Sequence, residues 1–210
     1  YDASTTVSSS DLTIATGLIG SETLSLTGDV DTNSANVSTY VASLGQITPT
    51  SIALVNGTGL ASNYQISDAT IAITQRVVNA TGTRLYDATA NADFSDLSLG
   101  NLVGSETLVL SGVGTLADKN VAANKTVGVG TLSLADGGSG GLAANYTLSS
   151  GTHLLTINQK PVSITGTRAY DATTATLPTD LTIGGLVGGE SLSLTGQGTI
   201  VDQNVGAGKT

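Results

Sequence analysis

One stretch of the sequence decides the fold: Thr83 to Gly112, T-R-L-Y-D-A-T-A-N-A-D-F-S-D-L-S-L-G-N-L-V-G-S-E-T-L-V-L-S-G. It returns as Thr167 to Gly196, T-R-A-Y-D-A-T-T-A-T-L-P-T-D-L-T-I-G-G-L-V-G-G-E-S-L-S-L-T-G, and a third copy occupies Tyr1 to Gly28. Tyr86 and Tyr170 of these copies lie 84 positions apart. A long fixed period means that each copy is one folding unit. The sequence therefore predicts an array of modules.

Other landmarks keep the same period and set the module boundaries. They are the Asn of an Asn-Val pair in each copy, namely Asn36, Asn120 and Asn204. We predict a module lacking its first strand at residues 1–75, a complete module at 76–159, and the first half of a third module at 160–210. Because the sequence starts without Met and stops inside a motif, we also expect it to be a segment of a longer polypeptide.

The composition excludes several classes of function. The chain has no Cys, so it can form neither disulfides nor thiolate sites. Its net charge is −9 with only seven Lys and Arg, whereas nucleic-acid binding needs clustered positive charge. No apolar run approaches the length of a transmembrane helix. We therefore expect no nucleic-acid partner and no membrane insertion.

Hydrophobic residues alternate with Ser, Thr and small residues almost throughout the chain, which is typical of half-buried antiparallel strands. Gly and Asn-Gly breakers punctuate the alternation, and no stretch keeps a helical period. The fold prediction is all-β, with small β-sandwich-like modules of about 84 residues and seven or eight short strands each, arranged end to end. The alternating pairs include Leu12/Ile14, Leu24/Leu26, Ile71/Ile73, Leu97/Leu99, Leu108/Leu110, Leu155/Ile157 and Val162/Ile164.

The repeated motif resembles the YDG module. The resemblance rests on Thr-Gly-Thr-Arg-x-Tyr-Asp-Ala-Thr, then Leu-Val-Gly-x-Glu-x-Leu-x-Leu-x-Gly, then the Ala-Asn-Tyr-Thr-Leu of residues 144–148. The third motif residue here is Ala (Ala3, Ala88, Ala172) rather than the Gly that names the family. That module and its relative, the mostly-β glycine-rich domain, occur in tandem in large secreted bacterial adhesins of the filamentous-haemagglutinin type. The resemblance implies a repetitive extracellular stalk and supplies no catalytic residues.

The recurring acidic and aromatic residues are predicted to be structural. A catalytic carboxylate pair needs a cleft and shifted pKa values, and a catalytic site need not recur in every module. We expect each Asp to accept backbone N–H bonds in a turn and each Tyr to pack with its hydroxyl on a partner. Each Glu is expected either to pair with Arg, as Glu106 with Arg84, or to solvate the start of a Leu-x-Leu strand. The recurring residues are Tyr1, Asp2, Glu22, Tyr86, Asp87, Glu106, Tyr170, Asp171 and Glu190.

One weak calcium candidate is present, and it is the only cofactor site that the sequence suggests. Asp29, Asp31 and Asn33 form the D-x-D-x-N opening of a calcium loop, but the Gly and Glu that complete such a loop are missing. His153 is the only His, so zinc and His-based catalysis are not expected. Lys125 has Val41 at its place in the first copy, which argues against a general isopeptide cross-link. No enzyme activity is predicted.

The functional prediction is a non-catalytic stalk or fibre segment of a long bacterial surface or biofilm-matrix adhesin, outside the cell. Its expected partners are neighbouring repeats of the same chain. Two alternatives stay open. One is a self-assembling extracellular filament whose copies touch laterally or through strands; the other is a carbohydrate- or cell-binding adhesin module, for which Tyr40 with Asp29 and Asp31 is the only non-repeated cluster.

Overall fold

The computed structural model describes residues 1–210. Strands form throughout, and the helical residues are confined to short 3₁₀ turns. No helix has the length and apolar character needed to span a membrane. The 3₁₀ turns are Ser9–Asp11, Ala42–Leu44, Ala61–Asn63, Phe94–Asp96, Ala143–Asn145 and Pro178–Asp180.

The strands follow the repeat. Residues 1–75 contain β1 (Thr6–Ser8), β2 (Leu24–Thr27), β3 (Asp29–Thr32), β4 (Ser38–Val41), β5 (Ile47–Pro49), β6 (Ala53–Asn56) and β7 (Thr70–Ile73). Residues 76–159 contain β8 (Arg76–Val77), β9 (Asn79–Leu85), β10 (Asn91–Asp93), β11 (Leu97–Gly100), β12 (Leu108–Ser111), β13 (Val113–Thr115), β14 (Ala122–Thr126), β15 (Ser133–Asp136), β16 (Tyr146–Thr147) and β17 (His153–Asn158). Residues 160–210 contain β18 (Ser163–Gly166), β19 (Ala175–Thr176), β20 (Leu181–Gly184) and β21 (Gly198–Thr199).

A four-stranded sheet with the order β11-β9-β17-β14 forms the centre of residues 76–159. The antiparallel pairs β10–β13 and β12–β15 lie beside it. In the flanking segments the same types of strand pair in the same way: β1 with β3, β2 with β6, β4 with β7, β18 with β20 and β19 with β21. The all-β prediction is confirmed.

Two details of the strand prediction are wrong. The central pair β9–β17 and the short pair β8–β16 run parallel, not antiparallel. The alternating Leu12 and Ile14 form no strand, although their counterparts Leu97 and Leu99 lie in β11. β11 is held by β9, and residues 1–75 contain no strand of that type. An alternating apolar–polar sequence can therefore form a strand, but it does so only where a neighbouring strand is present to pair with it.

The cores are thin and unequal. Twelve buried residues form one cluster in 76–159, with Val78, Ala80, Leu155 and Ile157 almost fully buried on β9, on β17 and just before β9. Residues 1–75 bury a cluster of four around Val30 and Tyr40. No residue of 160–210 is fully buried. Because hydrophobic stabilisation follows buried apolar area, the middle module is the most stable of the three.

The turn after each motif Tyr has a left-handed Ala. The φ angles of Ala3, Ala88 and Ala172 are +62°, +66° and +58°. Asp87 caps this turn, since its Oδ1 accepts the Thr89 N–H at 2.9 Å. A Cβ disfavours the left-handed region, which explains why Gly suits this third motif position.

Candidate inter-module interface

Glu106 receives hydroxyl groups from two different modules. The Tyr1 hydroxyl donates to its Oε1 at 2.7 Å, and the Tyr146 hydroxyl donates to its Oε2 at 2.5 Å. The two tyrosine rings meet edge to face, with centroids 5.4 Å apart and planes at 78°. Glu106 lies in the turn just before β12, where the N–H of Glu106 bonds to the Val103 carbonyl. One carboxylate thus connects residues 1–75 to residues 76–159.

The same contact recurs one period later. The Tyr86 hydroxyl donates to Glu190 Oε1, so Tyr86 meets the carboxylate of the next copy as Tyr1 does. Lys119 adds an ion pair to Glu190 Oε1 at 2.7 Å, and its ammonium lies 5.7 Å from the Tyr86 ring centre. A Cβ built on Gly188 would lie 3.2 Å from the Cβ of Ala88, so the two segments touch at this point. Repetition of the contact identifies it as a property of the module.

An amide cluster supports the first of these contacts. Asn145 is almost fully buried, and its Oδ1 accepts the Val37 N–H at 2.8 Å. Its Nδ2 donates to Asn36 Oδ1 at 2.9 Å. Hydrogen bonds of this kind prevent the burial of an unpaired amide, which would otherwise be costly. Asn36 therefore contributes to the contact between the first two modules.

The segment between the first two modules is also fixed. The Gln75 side chain donates to the carbonyls of Ala144 and Tyr146, at 3.1 and 3.0 Å. The terminal amino group of Tyr1 donates to the Thr74 carbonyl at 2.7 Å. Arg76 and Val77, which follow Gln75, form β8, and β8 pairs with β16. Hydrogen bonds thus hold this segment to the second module.

Burial and charge shift the pKa values of the groups at the interface. Desolvation, together with the Glu106 hydrogen bond, raises the pKa of Tyr1 to about 12, and the same causes raise the pKa of Tyr146. The hydrogen bond to Glu190 is the main cause that raises the pKa of Lys119 to about 12. Lys119 in turn holds the pKa of Glu190 below its usual range. At neutral pH, Tyr1 and Tyr146 are therefore neutral, whereas Lys119 and Glu190 are charged.

The predicted Glu106–Arg84 pair is wrong. Arg84 lies on β9 and forms an ion pair with Asp87, with Asp96 Oδ2 3.9 Å from its Nε. The reason is local: the turn that follows Tyr86 returns Asp87 to Arg84, three residues away. Arg168 and Asp171 repeat this pair. It leaves the Glu of each module free for tyrosine hydroxyls.

The predicted turn role of the recurring Asp residues is confirmed in all three copies. The Oδ1 of Asp2 accepts the Ser4 N–H at 2.9 Å, and that of Asp171 accepts the Thr173 N–H at 3.0 Å, as Asp87 does with Thr89. The motif tyrosines also behave as expected, with Tyr1 and Tyr86 half-buried and bonded through their hydroxyls. Tyr170 is the exception, since 60 % of it is exposed.

The calcium candidate forms no loop. Asp29 and Asp31 lie within β3, between β1 and β5, and Asp31 Oδ1 accepts the Thr6 hydroxyl at 2.7 Å. Asn33 follows this strand, and its N–H bonds to the Gln46 carbonyl. No group of three or more acidic, His or Cys side chains in the chain is placed to hold a metal ion. The pairing of β3 with β1 and β5 holds this segment extended, so its backbone cannot curve around a calcium ion.

The remaining candidate site residues are structural. Tyr40 is only 4 % exposed, and its hydroxyl donates to the Asn36 carbonyl at 2.6 Å, so the Tyr40 cluster offers no aromatic surface to a sugar. His153 is buried, with Nδ1 accepting the Ala80 N–H at 3.0 Å and Nε2 2.8 Å from the Leu148 carbonyl oxygen. These two contacts define a neutral ring that donates through Nε2.

The strands and their pairing define an all-β protein. A family model of the YDG domain matches residues 71–153, so this part of the chain is a YDG domain. No curated protein and no solved structure matches the chain.

Proposed function

We propose that the protein is a non-catalytic stalk or fibre segment of a long extracellular adhesin on a bacterial surface or in a biofilm matrix. The observation that carries the proposal is the recurrence of the tyrosine–glutamate contact between successive modules, at Glu106 and again at Glu190. A contact that returns with the repeat fixes each module on the next, which is how quasi-one-dimensional arrays gain stiffness. The proposed role of such an array is to hold other parts of the adhesin at a distance from the cell, without catalysing a reaction.

The surface chemistry supports this role. Each module buries little apolar area, and the side chains outside are mainly small and polar, with a net charge of −9. A net charge far from zero keeps long chains from associating without specificity. The carboxylates that recur in every module point to tyrosines and to turn N–H groups, and none of them forms an acid–base pair in a cleft.

Small-angle X-ray scattering of the chain tests the spacer role. A compact 210-residue protein has a radius of gyration of about 17 Å. Modules in single file give a clearly larger value and an asymmetric distance distribution. Loosening the contacts with Tyr1→Phe and Tyr86→Phe is expected to broaden that distribution further. The control Tyr64→Phe, whose hydroxyl bonds only within residues 1–75, is expected to leave it unchanged. A compact radius for the unaltered chain would exclude the stalk.

A further inference from the structure

The end of β6 carries the one Asn-Gly pair of the chain, Asn56-Gly57. Asn is among the chemically labile residues of proteins. When Gly follows it, the backbone nitrogen of the Gly can attack the side-chain carbonyl carbon and close a five-membered ring, an intramolecular reaction favoured by proximity. Both residues are exposed, so water reaches them. Whether the pair reacts depends on the surroundings of this nitrogen and this carbonyl.

The fold requires the glycine at this place. A Cβ on Gly57 would lie 2.3 Å from the backbone oxygen of Thr23, the residue before β2. In the second module a Cβ on Gly137 would lie 2.0 Å from the backbone oxygen of Thr107, the residue before β12. Close approach to the paired strand therefore selects Gly in both modules, and no Cβ shields its nitrogen from the side chain before it.

The Gly57 nitrogen is free in the first module. Its N–H donates to no acceptor of the chain, although the next N–H, of Thr58, donates to the Thr23 hydroxyl at 3.1 Å. In the second module the loop is longer and folds back, so the Gly137 N–H donates to the Gly141 carbonyl at 3.0 Å. A nitrogen held in this way has to give up its hydrogen bond before it can lose its proton and attack. The reacting nitrogen is therefore available in the first module only.

The carbonyl of Asn56 is polarised in the direction that the reaction needs. Its Oδ1 accepts the Ala61 N–H at 2.7 Å. Negative charge collects on this oxygen while the Gly57 nitrogen adds to the carbon, so the Ala61 N–H stabilises the intermediate as an oxyanion-hole donor does. The second module keeps the same donor, since the Ala143 N–H donates to Asp136 Oδ1 at 2.8 Å. The modules thus share the activating donor and differ in the freedom of the nitrogen.

We propose that Asn56 is a site of self-modification, at which the folded chain converts this asparagine to aspartate and isoaspartate without another protein. The Gly57 nitrogen bonds to Cγ of Asn56, the Cγ–Nδ2 bond breaks, and the side-chain nitrogen leaves as ammonia with the proton that Gly57 gives up. Water then opens the cyclic imide. Cleavage of the new N–Cγ bond gives aspartate, and cleavage of the bond from that nitrogen to the main-chain carbonyl carbon gives isoaspartate. Either product carries a negative charge that asparagine lacks.

The aspartate product fits the place that it occupies. Its equivalent in the second module is Asp136, which has the same position in the pair β12–β15 as Asn56 has in the pair β2–β6. Asp136 keeps the backbone hydrogen bond through Oδ1. The isoaspartate product lengthens the main chain by one carbon at the end of β6, which moves Gly57 from its close approach to the paired strand. We expect aspartate to leave the unfolding temperature unchanged and isoaspartate to lower it.

Mass spectrometry of the folded chain, kept at mildly alkaline pH and then digested with trypsin, measures the conversion. Cleavage after Arg76, the first basic residue, gives a peptide of residues 1–76, and fragmentation assigns the converted position within it. Asn63 is the internal reference, because it is exposed but followed by Tyr64. We expect Asn56 to convert at least about tenfold faster than Asn63, which corresponds to about 1.4 kcal/mol in activation free energy.

Asp136→Asn supplies the matched control. It places an Asn-Gly pair in the second module with the same kind of donor on Oδ1, but with the Gly137 N–H bonded to Gly141. In the folded variant we expect position 56 to convert roughly tenfold faster than position 136, since one hydrogen bond has to break first at position 136. In denaturant, where only the local sequence remains, the two positions should convert at similar rates. Circular dichroism checks that the variant is folded.

Three outcomes overturn the proposal. The first is an equal rate at positions 56 and 136 in the folded Asp136→Asn variant. The second is conversion of Asn56 in the folded, unaltered chain that is no faster than that of Asn63, or that is more than about tenfold slower than in denaturant; this readout holds even where the variant does not fold. The third is an undiminished conversion of peptide 1–76 in the variant Asn56→Gln, whose longer side chain cannot close the five-membered ring.

Discussion

Glu106→Gln is the substitution that measures the inter-module contact most directly. Gln keeps the shape of Glu but has no charge and only one acceptor oxygen for two hydroxyls. Hydrogen bonds to a charged group contribute about 1.5–3 kcal/mol and neutral ones about 0.5–1.5 kcal/mol. Tyr146 is 2 % exposed, so its hydroxyl cannot bond to water in place of the Glu106 carboxylate. The hydroxyl of the half-exposed Tyr1 can do so. We expect the free energy of unfolding to fall by about 2 kcal/mol, mostly through Tyr146.

Double-mutant cycles divide this loss between the two modules. Combining Glu106→Gln with Tyr146→Phe is expected to give a coupling energy of about 1–2 kcal/mol, and combining it with Tyr1→Phe about 0.5–1 kcal/mol. Denaturant unfolding followed by tyrosine fluorescence supplies the values, because the chain contains no Trp. Asp11→Asn, which removes the same unit of charge at an exposed position of residues 1–75, serves as the charge-matched control, with an expected change below about 0.5 kcal/mol.

The cycles separate two ways in which the reasoning can fail. Additive effects for Tyr1, with coupling retained for Tyr146, mean that the contact within the second module exists and the contact between modules does not. Additive effects for both tyrosines refute the role given to Glu106 altogether. If Glu106 couples to both Tyr1 and Tyr146 with the expected energies, its carboxylate is occupied by the two hydroxyls and does not pair with Arg84.

Three further predictions concern the same elements. The neutral form of Tyr1 is favoured in the folded chain, so its stabilisation is complete below pH 10 and is lost as the pH rises toward the pKa of about 12; Tyr1→Phe should flatten this part of an alkaline unfolding profile. Ala88→Gly relieves a left-handed residue at φ +66° and is expected to stabilise the chain by about 0.5–1 kcal/mol in thermal unfolding, and a destabilised variant would contradict the strain argument. Leu155→Ala empties a fully buried position and should cost about 2–5 kcal/mol, while Val109→Ala at an exposed position should cost under about 1 kcal/mol; equal losses would argue against a core at β17.

Much of the local structure could be predicted from the sequence because it depends on neighbouring residues. The Asp87 turn is an example, since capping needs only the N–H group two residues along. The absence of a helical period likewise indicated an all-β chain, and the period itself located equivalent residues.

The inter-module contact could not be predicted because its partners lie about a hundred residues apart. Nothing local shows that Tyr1 is 105 positions from the carboxylate that it binds. Arg84 was assigned to Glu106 because both recur, yet recurrence gives no distance, and Asp87 is nearer along the chain. One signal was available: a Tyr and a Glu that recur together in every module, in a chain with few other aromatic residues. The parallel β9–β17 pairing was missed for a different reason: an alternating pattern does not show in which direction a strand pairs with its neighbour.

The parallel pairing of β9 with β17 determines how a module responds to tension. These strands are the first and last long strands of residues 76–159, and six residue pairs join them, from Ala80 with His153 to Leu85 with Asn158. Parallel neighbours place the start of β9 and the end of β17 at opposite ends of the sheet. A pull on the two flanking linkers therefore loads the hydrogen bonds between these strands in shear, all together, instead of unzipping them one by one. The seam between the two strands acts as a mechanical clamp, and it carries the load before the surrounding hairpins do.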